Sequence, residues 1–262
     1  MGIISQCLFF IDMYPTFYFE SIDSTNIKAK EIAESGAVSG TAVVAEYQTK
    51  GRGRLGKNWH SVPGKGLYCS IVVRPKNIAL EDYPKITLVA GLSVALVLDR
   101  LTGRNTQLKW PNDIYLSGKK IAGILTESSA LSGSFQQRYA VIGIGVNVNN
   151  VETDFPLELR EIVTSLFVET GTCFVVKELF QAIRLELLQQ LEIFSNCGFQ
   201  PLLSQWRKKD FLLGKEMECV NTEGIRVRGI AQGPDDQGQL HVRDTCGRIH
   251  EVLSGDVRLA TF

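Results

Sequence analysis

The sequence lacks an excess of charge of either sign, because its 262 residues contain 28 Lys and Arg and 28 Asp and Glu. General nucleic-acid binding usually requires a basic excess, so the composition argues against it. A long apolar segment is also missing near the N-terminus, where the run 7–11 ends at Asp12 and follows no cationic stretch. We therefore expect neither a signal peptide nor a membrane span.

Metal-binding and disulfide patterns are equally scarce. The three histidines lie far apart, and the six cysteines, at positions 7, 69, 173, 197, 219 and 246, form no Cys-x-x-Cys pair. Scattered thiols of this kind are typical of a protein in the reducing cytoplasm, and they predict neither a zinc site nor a disulfide framework. The chain is 44% hydrophobic, which is enough for one large domain and a small one.

The residue patterns predict an α+β fold. A helix should run from Ser24 to about Ser35 and another from Tyr83 to Leu101, with later helices over 176–194 and 201–209. Predicted strands of the larger domain are 16–20, 41–47, 66–73, 106–110, 113–116, 120–128 and 137–148. Short strands over 215–220, 225–231, 239–244 and 249–253 indicate a small SH3-like β-barrel. We place the domain boundary between residues 210 and 211, which gives domains 1–210 and 211–262.

The segment Gly51–His60 is the most informative loop, because it puts three glycines and four cations, counting the histidine, into ten residues. A flexible backbone among positive charges is suited to wrapping a phosphate or another anion. Its glycines formally match both a P-loop and a dinucleotide-binding fingerprint. Both motifs require a helix immediately afterwards, and the following Pro63–Gly66 does not favour one. The remaining functional interpretation is an arginine-rich loop that binds phosphate, and the alternative is a solvated basic hairpin tip.

A second group of polar residues lies in Lys109–Tyr115, where Pro111 favours an extended, shaped corner. Asp113 could hold Mg²⁺, and Lys109 and Lys120 could meet phosphate or carboxylate oxygens. If Asp113 and Lys120 lie on adjacent hairpin strands, their side chains reach one site. The alternative is an ordinary ion pair on a surface hairpin.

Glycines also interrupt the predicted strand that contains Gly143–Asn147. Glycine within a strand often marks the close approach of a ligand or of another backbone. Tight strand packing explains the pattern equally well at this stage.

Together these segments resemble the biotin–protein ligase family. The motifs Ser21–Asn26, Ala45–Gln48, Gly51–Arg54, Lys109–Asp113, Lys120–Leu125 and Gly143–Asn147 occur in the family's order and spacing. The resemblance extends over about residues 17–262. It implies a mixed β-sheet with helices on one side, followed by a C-terminal SH3-like domain.

The resemblance also implies a reaction, in which biotin and MgATP give biotinyl-5′-AMP and a lysine of an acceptor protein then takes the biotin. The implied contacts to biotin or its acyl phosphate come from Ser24, Thr25, Gln48, Arg52, Gly53, Arg54 and Lys120, with Gly123, Gly143 and Gly145 lining the biotin site. The implied contacts to ATP come from Arg52, Arg54, Trp59, Lys109, Asn112, Asp113, Lys120 and Asn147. Arg54, Lys120 and Asp113 are the implied catalytic residues, and Asp113 is the implied Mg²⁺ ligand.

Several alternatives remain open within this resemblance. Ser24 or Thr25 could serve as a helix N-cap, and Trp59, the implied cover of the adenine, could be a core residue. The basic loop departs from the family because Leu55 and Lys57 stand where arginine is common, so some of the positive charge of the family's loop is missing.

Other functions are also consistent with the pattern. A lipoate or octanoate ligase is the second enzymatic interpretation, and a biotin-sensing protein that recruits partners is the non-enzymatic one. Asp113 and Lys120 argue against the latter, since storage needs no adenylation machinery.

Bifunctional members carry an N-terminal DNA-binding module, and only about sixteen residues precede the first predicted strand here. We expect a monofunctional cytoplasmic enzyme that uses biotin, ATP and the biotin carboxyl carrier protein of acetyl-CoA carboxylase, without DNA or a membrane. Homodimerisation is left open.

Overall fold

The structure is a computed structural model that describes residues 14–129, 138–220, 224–252 and 257–259. The apolar run 7–11 lies outside these residues, as do the first residue of the predicted strand 137–148 and the last residue of the predicted strand 249–253. Within the described residues none of the helices combines the length and the apolarity that crossing a membrane requires.

The described residues form a main sheet of seven strands: β1 (Thr16–Ile22), β2 (Ala42–Gln48), β3 (Gly66–Val73), β4 (Gln107–Lys109), β5 (Asp113–Leu116), β6 (Lys119–Ser128) and β7 (Ala140–Asn147). Their order across the sheet is β1-β2-β3-β7-β6-β5-β4. Strand β1 runs parallel to β2, and the other neighbouring pairs are antiparallel. The predicted mixed sheet is therefore confirmed.

The helices in this part of the chain are α1 (Thr25–Glu34), α2 (Lys85–Thr102), α3 (Leu166–Thr170), α4 (Val176–Cys197) and α5 (Gln200–Arg207). Helix α2 is buried over most of its length and ends at Gly103, whose φ of 65° places it in the left-handed region. Helix α3 lies in the interval 149–175, for which no helix or strand was predicted.

The long helices cover one face of the main sheet. Residues of α2 and α4 share a core with Cys69 and Ile71 of β3 and with Ile142 of β7. Neighbouring residues of the same strands, Val72 and Val141, belong to a second cluster. Since successive side chains on a strand point to opposite faces, the second cluster lies on the other side of the sheet.

Helix α1 packs on this second face, which corrects the expectation of helices on one side only. Its buried residues Asn26, Ala29 and Ala33 are spaced three and four apart, so they form one stripe. The alanines are small enough for close contact with Val43 and other strand residues. The same stripe directs Asn26, at the start of the helix, towards the sheet.

A smaller antiparallel sheet follows, with the order β11-β10-β9-β8-β12. Its strands are β8 (Glu216–Val220), β9 (Arg226–Pro234), β10 (Leu240–Arg243), β11 (Ile249–Val252) and β12 (Arg258–Leu259). A small C-terminal β domain is thereby confirmed. It contacts the rest of the chain through Trp110, between β4 and β5, whose Nε1 donates a 3.0 Å hydrogen bond to Gly238 O. Arg207, at the end of α5, also donates to Pro234 O.

Candidate active site

The candidate site lies on the α1 face of the main sheet, over a floor of glycines. Gly123 on β6 is paired with Gly145 on β7, and Gly143 lies next to Leu125. A side chain at Gly143 would collide with Asn26 Oδ1, and one at Gly145 would lie 2.5 Å from Trp59 Cε2. The glycines therefore make room for groups packed directly on the sheet, as their positions in the strands suggested.

The glycine and arginine loop folds as a small hairpin above this floor. Gly53 N donates to Lys57 O at 2.7 Å, and Trp59 N donates to Gly51 O at 3.0 Å. A Cβ at position 51 would lie 2.5 Å from Trp59 O, so this close backbone approach requires glycine. Leu55, one of the departures from the family pattern, lies at the exposed tip with a φ of 54°.

One wall of the site is a chain of polar side chains at the start of α1. Gln48 Oε1 accepts hydrogen bonds from Thr25 N at 2.8 Å and from Thr25 Oγ1 at 3.0 Å. Ser70 Oγ lies 2.8 Å from Thr25 Oγ1 and 2.6 Å from Asn26 Oδ1. Thr25, Asn26 and Ser70 are all buried. We call these four residues the acceptor wall.

The acceptor wall has more oxygen–oxygen contacts than it has hydroxyl protons to form hydrogen bonds across them. Its two ends, Gln48 Oε1 and Asn26 Oδ1, are amide oxygens, which only accept. The hydrogen bond from Thr25 N fixes the orientation of the Gln48 amide group. The Asn26 amide group is held because its Nδ2 donates to Leu125 O at 3.2 Å and to a carboxylate at 2.9 Å. The two hydroxyls between them supply two protons for three oxygen–oxygen contacts. Such a wall favours a ligand that brings N–H donors.

The carboxylate that fixes Asn26 belongs to Glu127 on β6. Its Oε2 accepts from Asn26 Nδ2 and also lies 3.3 Å from Arg52 Nη1 of the hairpin. Thus one glutamate joins the acceptor wall to the loop above it.

A charged group forms the other end of the site. Lys120 Nζ lies 2.7 Å from Asp113 Oδ1 and 5.4 Å from the centre of a Trp59 ring. Burial lowers the pKa of the Arg54 guanidinium, and attraction by the Asp113 carboxylate opposes this lowering. An arginine remains charged under these conditions, and the site holds two cations beside one carboxylate.

Trp59 fills the space between the acceptor wall and the charged group. Its indole packs over Gly145 and lies 2.9 Å from where a Cβ at Gly123 would be. The cavity beside it has a volume of about 40 Å³, which suits a few water molecules. Trp59 Nε1 is buried without a hydrogen-bond partner. In this arrangement the indole covers the floor that was expected to contact biotin.

The remaining predicted residues divide into two groups. Ser24 and Gly53 line the cavity. Ser24 occupies the N-cap position of α1, but its side chain makes no capping bond. Asn112 and Asn147 use their amide groups within the fold, because they donate to Ile124 O and Thr164 O at 2.9 Å each.

Lys109 is directed to an aromatic ring, with its Nζ 5.6 Å from the ring centre of Tyr115. The structure thus brings most of the predicted residues into one site and leaves Lys109, Asn112 and Asn147 at its margin.

Sequence reasoning missed Asn26, Ser70 and Glu127 as members of the site. Asn26 belongs to the quoted motif Ser21–Asn26 and follows directly after two predicted contacts, so its position was a usable signal. Ser70 is a polar residue in an otherwise apolar strand, fully buried in the structure. Buried hydroxyls require partners, which was a second signal.

Comparison with known proteins gives consistent results. Residues 18–147 match the sequence model of the biotin/lipoate A/B protein ligase family. The bifunctional ligase/repressor BirA of Bacillus spizizenii is 38% identical over 242 residues, which cover 92% of this chain and 73% of that protein. The biotin–[acetyl-CoA-carboxylase] ligase of Mycobacterium tuberculosis is 34% identical over 89% of this chain and 85% of its own length.

Solved structures give the same result. The biotin protein ligase of Aquifex aeolicus, in complex with biotin and ATP, superposes with a TM-score of 0.81 at 32% identity and covers 94% of this chain and 99% of its own.

Proposed function

Because this chain belongs to the biotin/lipoate A/B protein ligase family and is a ligase, we propose that it attaches biotin to a lysine of a carrier protein at the expense of ATP. The acceptor protein would be the biotin carboxyl carrier protein of acetyl-CoA carboxylase. Relatives named as biotin–[acetyl-CoA-carboxylase] ligases support this choice of partner.

The acceptor wall is the observation that carries the choice of biotin. The ureido ring of biotin has two N–H donors, which match amide oxygens that only accept. The dithiolane ring of lipoate has no N–H group, so it cannot supply the proton that is missing from the three oxygen–oxygen contacts of the acceptor wall. One of these contacts would remain without a hydrogen bond, at a cost of about 1–3 kcal/mol. The proposed site therefore favours biotin over lipoate on its polar groups alone.

The charged group fits the first step of the reaction. A biotin carboxylate oxygen attacks the α-phosphorus of ATP, the bond to the β-phosphate oxygen breaks, and pyrophosphate leaves with the electron pair. Two anions must approach each other for this attack, so nearby cations lower the barrier by offsetting their repulsion. Lys120 and Arg54 would do this at the acyl phosphate.

The single Asp113 carboxylate, which pairs with Lys120 in this structure, would suit a metal ion that brings its other ligands with ATP. Within the described residues no group of three or more His, Cys, Asp or Glu side chains comes together. Mg²⁺ is commonly held by one or two carboxylates together with substrate phosphates and water. Asp113 would supply the protein ligand, and the ion would neutralise charge on the leaving pyrophosphate.

Trp59 would have to leave the glycine floor before biotin could contact it, since the two would occupy the same space. A displaced indole on the hairpin could then cover the adenine, the role that the family resemblance implies for it. Closure of the hairpin would keep water away from the mixed anhydride. In the second step the acceptor lysine amine attacks the acyl carbon, and AMP leaves.

Incubation with ATP, Mg²⁺, biotin and a biotin carboxyl carrier domain, followed by intact-mass measurement, tests the proposal. We expect the mass of one biotinyl group to appear on the carrier and to depend on ATP. Lipoate in place of biotin is the comparison that separates the two ligase activities. Modification by lipoate alone would overturn the choice of substrate, and an unmodified carrier with both substrates bound would overturn the transferase step.

A further inference from the structure

We infer that Glu127 is a positioning residue that holds the hairpin 51–59 against the site through Arg52. Glu127 does not line the cavity, whereas Arg52 and Asn26, its two partners, both do. The inference deepens the proposed function and rests on it for the identity of the ligand. The contact itself is a property of the protein alone.

The backbone hydrogen bonds of the hairpin are formed internally, so side chains must hold it to the sheet: Trp59 packs on the glycine floor, and Arg52 pairs with Glu127. Gly53 N, Lys57 N and Trp59 N all donate to carbonyl groups within residues 51–57. These bonds shape the hairpin without fixing it to the sheet. The Arg52–Glu127 ion pair, at 3.3 Å, runs from the hairpin to β6.

The ion pair lies at the opposite end of the site from the reacting groups. Glu127 is close to the end of β6, next to the acceptor wall, and Lys120 is near the start of that strand. Trp59, at the end of the hairpin, has a ring centre 5.4 Å from Lys120 Nζ, and the Asp113 carboxylate attracts the Arg54 guanidinium. The hairpin therefore extends from the acceptor wall to the Lys120–Asp113 pair. An ion pair that holds Arg52 in place also restrains Arg54, two residues further along.

Two substitutions separate the two contacts of Glu127. In Glu127→Gln the new side chain still offers an oxygen to Asn26 Nδ2 but has no charge for Arg52. In Glu127→Ala both contacts are lost, and a buried donor of Asn26 is left without its partner. The glutamine variant therefore tests whether the ion pair holds the hairpin in place. The alanine variant also removes the hydrogen bond that supports Asn26 in the acceptor wall.

Trypsin cleavage after Arg54 and Lys57, followed by mass spectrometry without any ligand, measures how often the hairpin opens. We expect Glu127→Gln to raise the cleavage rate by up to about fivefold, the range for a partly exposed ion pair. Cleavage of the wild type should increase with salt, because ions screen the pair, and cleavage of the variant should not. Glu216→Gln, which breaks the exposed ion pair with Arg228 in the small β domain, is the matched control, and its hairpin should be cleaved as in the wild type at every salt concentration. Cleavage of an unstructured peptide substrate corrects for the salt response of trypsin itself.

A double-mutant cycle with Arg52→Gln identifies the partner. If Glu127 acts through Arg52, Glu127→Gln has no further effect on cleavage in the Arg52→Gln background. Equal effects in both backgrounds, or a variant that is cleaved and responds to salt as the wild type does, would overturn the inference.

The same variants are then compared in the ligase assay. We expect Glu127→Gln to release biotinyl-5′-AMP up to about fivefold faster than the wild type when the two are compared at matched adenylate production. Glu127→Ala should in addition weaken biotin binding by about tenfold or more. A protein that forms no adenylate at all refutes the proposed function, while the cleavage experiment still decides the role of Glu127. If a variant with faster cleavage released biotinyl-5′-AMP at the wild-type rate, the ion pair would not contribute to retention of the adenylate. That result would overturn the functional part of the inference.

Discussion

Lys120 Nζ and Asp113 Oδ1 lie 2.7 Å apart, although Lys120 is paired across the hairpin with Tyr115 and Asp113 with Gly123. The lysine side chain therefore reaches back along the strand to meet the carboxylate. Glycine at position 123 leaves room for this path, because a Cβ there would lie 3.3 Å from Lys120 Nζ. The pair holds an ammonium group in position where an anion can reach it.

Lys120→Ala should slow adenylate formation more than it weakens ATP binding. A cation that meets charge developing in the transition state is worth about 10²–10³ in rate. Pyrophosphate release and nucleotide binding are measured separately. Lys119→Ala, which removes the neighbouring lysine and its 3.1 Å bond to Arg160 O, is the control. Near wild-type pyrophosphate release in the Lys120 variant would refute its role.

Gly143→Ala should disturb the acceptor wall directly, since the added Cβ would collide with Asn26 Oδ1. Overpacking of this kind costs about 1–3 kcal/mol, and we expect biotin affinity to fall by about tenfold or more. Titration calorimetry gives the affinity, and thermal unfolding checks that the variant folds.

Gly91→Ala is the matched control for this substitution. It adds the same methyl group within α2, where the Cβ would make an ordinary 3.6 Å contact with Leu108. We expect unchanged biotin binding and a slight gain in stability from alanine in a helix. Equal biotin affinity in both variants would contradict the proposed contact between the glycine floor and the ligand.

Arg54→Gly should still produce biotinyl-5′-AMP but hold it poorly. Charge-assisted hydrogen bonds of roughly 1.5–3 kcal/mol offset the cost of ordering the hairpin, and the substitution removes them. Released adenylate would then label lysines on bystander proteins. Labelling of the carrier and of a bystander is compared at matched adenylate production, with Lys57→Gly as a control on the same hairpin. A variant that labels the carrier alone and retains its adenylate would contradict the role of Arg54 as a clamp.

Asp210, at the junction with the small β domain, should make stability depend on pH. Burial raises its pKa to about 6, although Leu212 N donates to its Oδ1 at 2.8 Å and nearby Lys215 attracts it. The folded state then binds the proton more tightly than the unfolded state does. This contribution to the free energy of unfolding is fully present below about pH 4 and is lost as pH rises through about 6.

Asp210→Asn tests this dependence, because the amide oxygen still accepts from Leu212 N and does not titrate. We expect the variant to gain about 1–3 kcal/mol relative to the wild type between pH 4 and pH 7, as measured by urea unfolding. Asp236→Asn, in the exposed turn of the same domain, is the control. A constant difference between variant and wild type over this range would show that Asp210 does not titrate there.

Strands and turns were predictable from sequence where the signals are local. The bounds of β3 and β5 match the predicted ones, since each apolar segment ends at clear turn residues such as Arg74–Pro75 or Ser117–Gly118. The interval 149–175 gave no such signal. Part of it is fixed by distant contacts, as where Lys120 N donates to Ile162 O at 2.9 Å.

The site divides in the same way. Motifs identified Lys120, Asp113 and the glycines because each lies in a short, characteristic segment. Ser70 and Glu127 belong to the site through partners 44 and 101 residues away in sequence. No local pattern encodes such pairings, and they form only when α1 folds onto the second face of the sheet.

The position of Trp59 gives the protein a built-in optical reporter. The chain has three tryptophans, and both Trp110 and Trp206 are only 2% exposed within the core. Their emission should change little while the fold is intact. Trp59 packs on glycines beside the Lys120 ammonium, so any movement of the hairpin changes the polarity around a single indole. The intrinsic fluorescence of the protein should therefore follow the opening and closing of this loop in real time, without an added label.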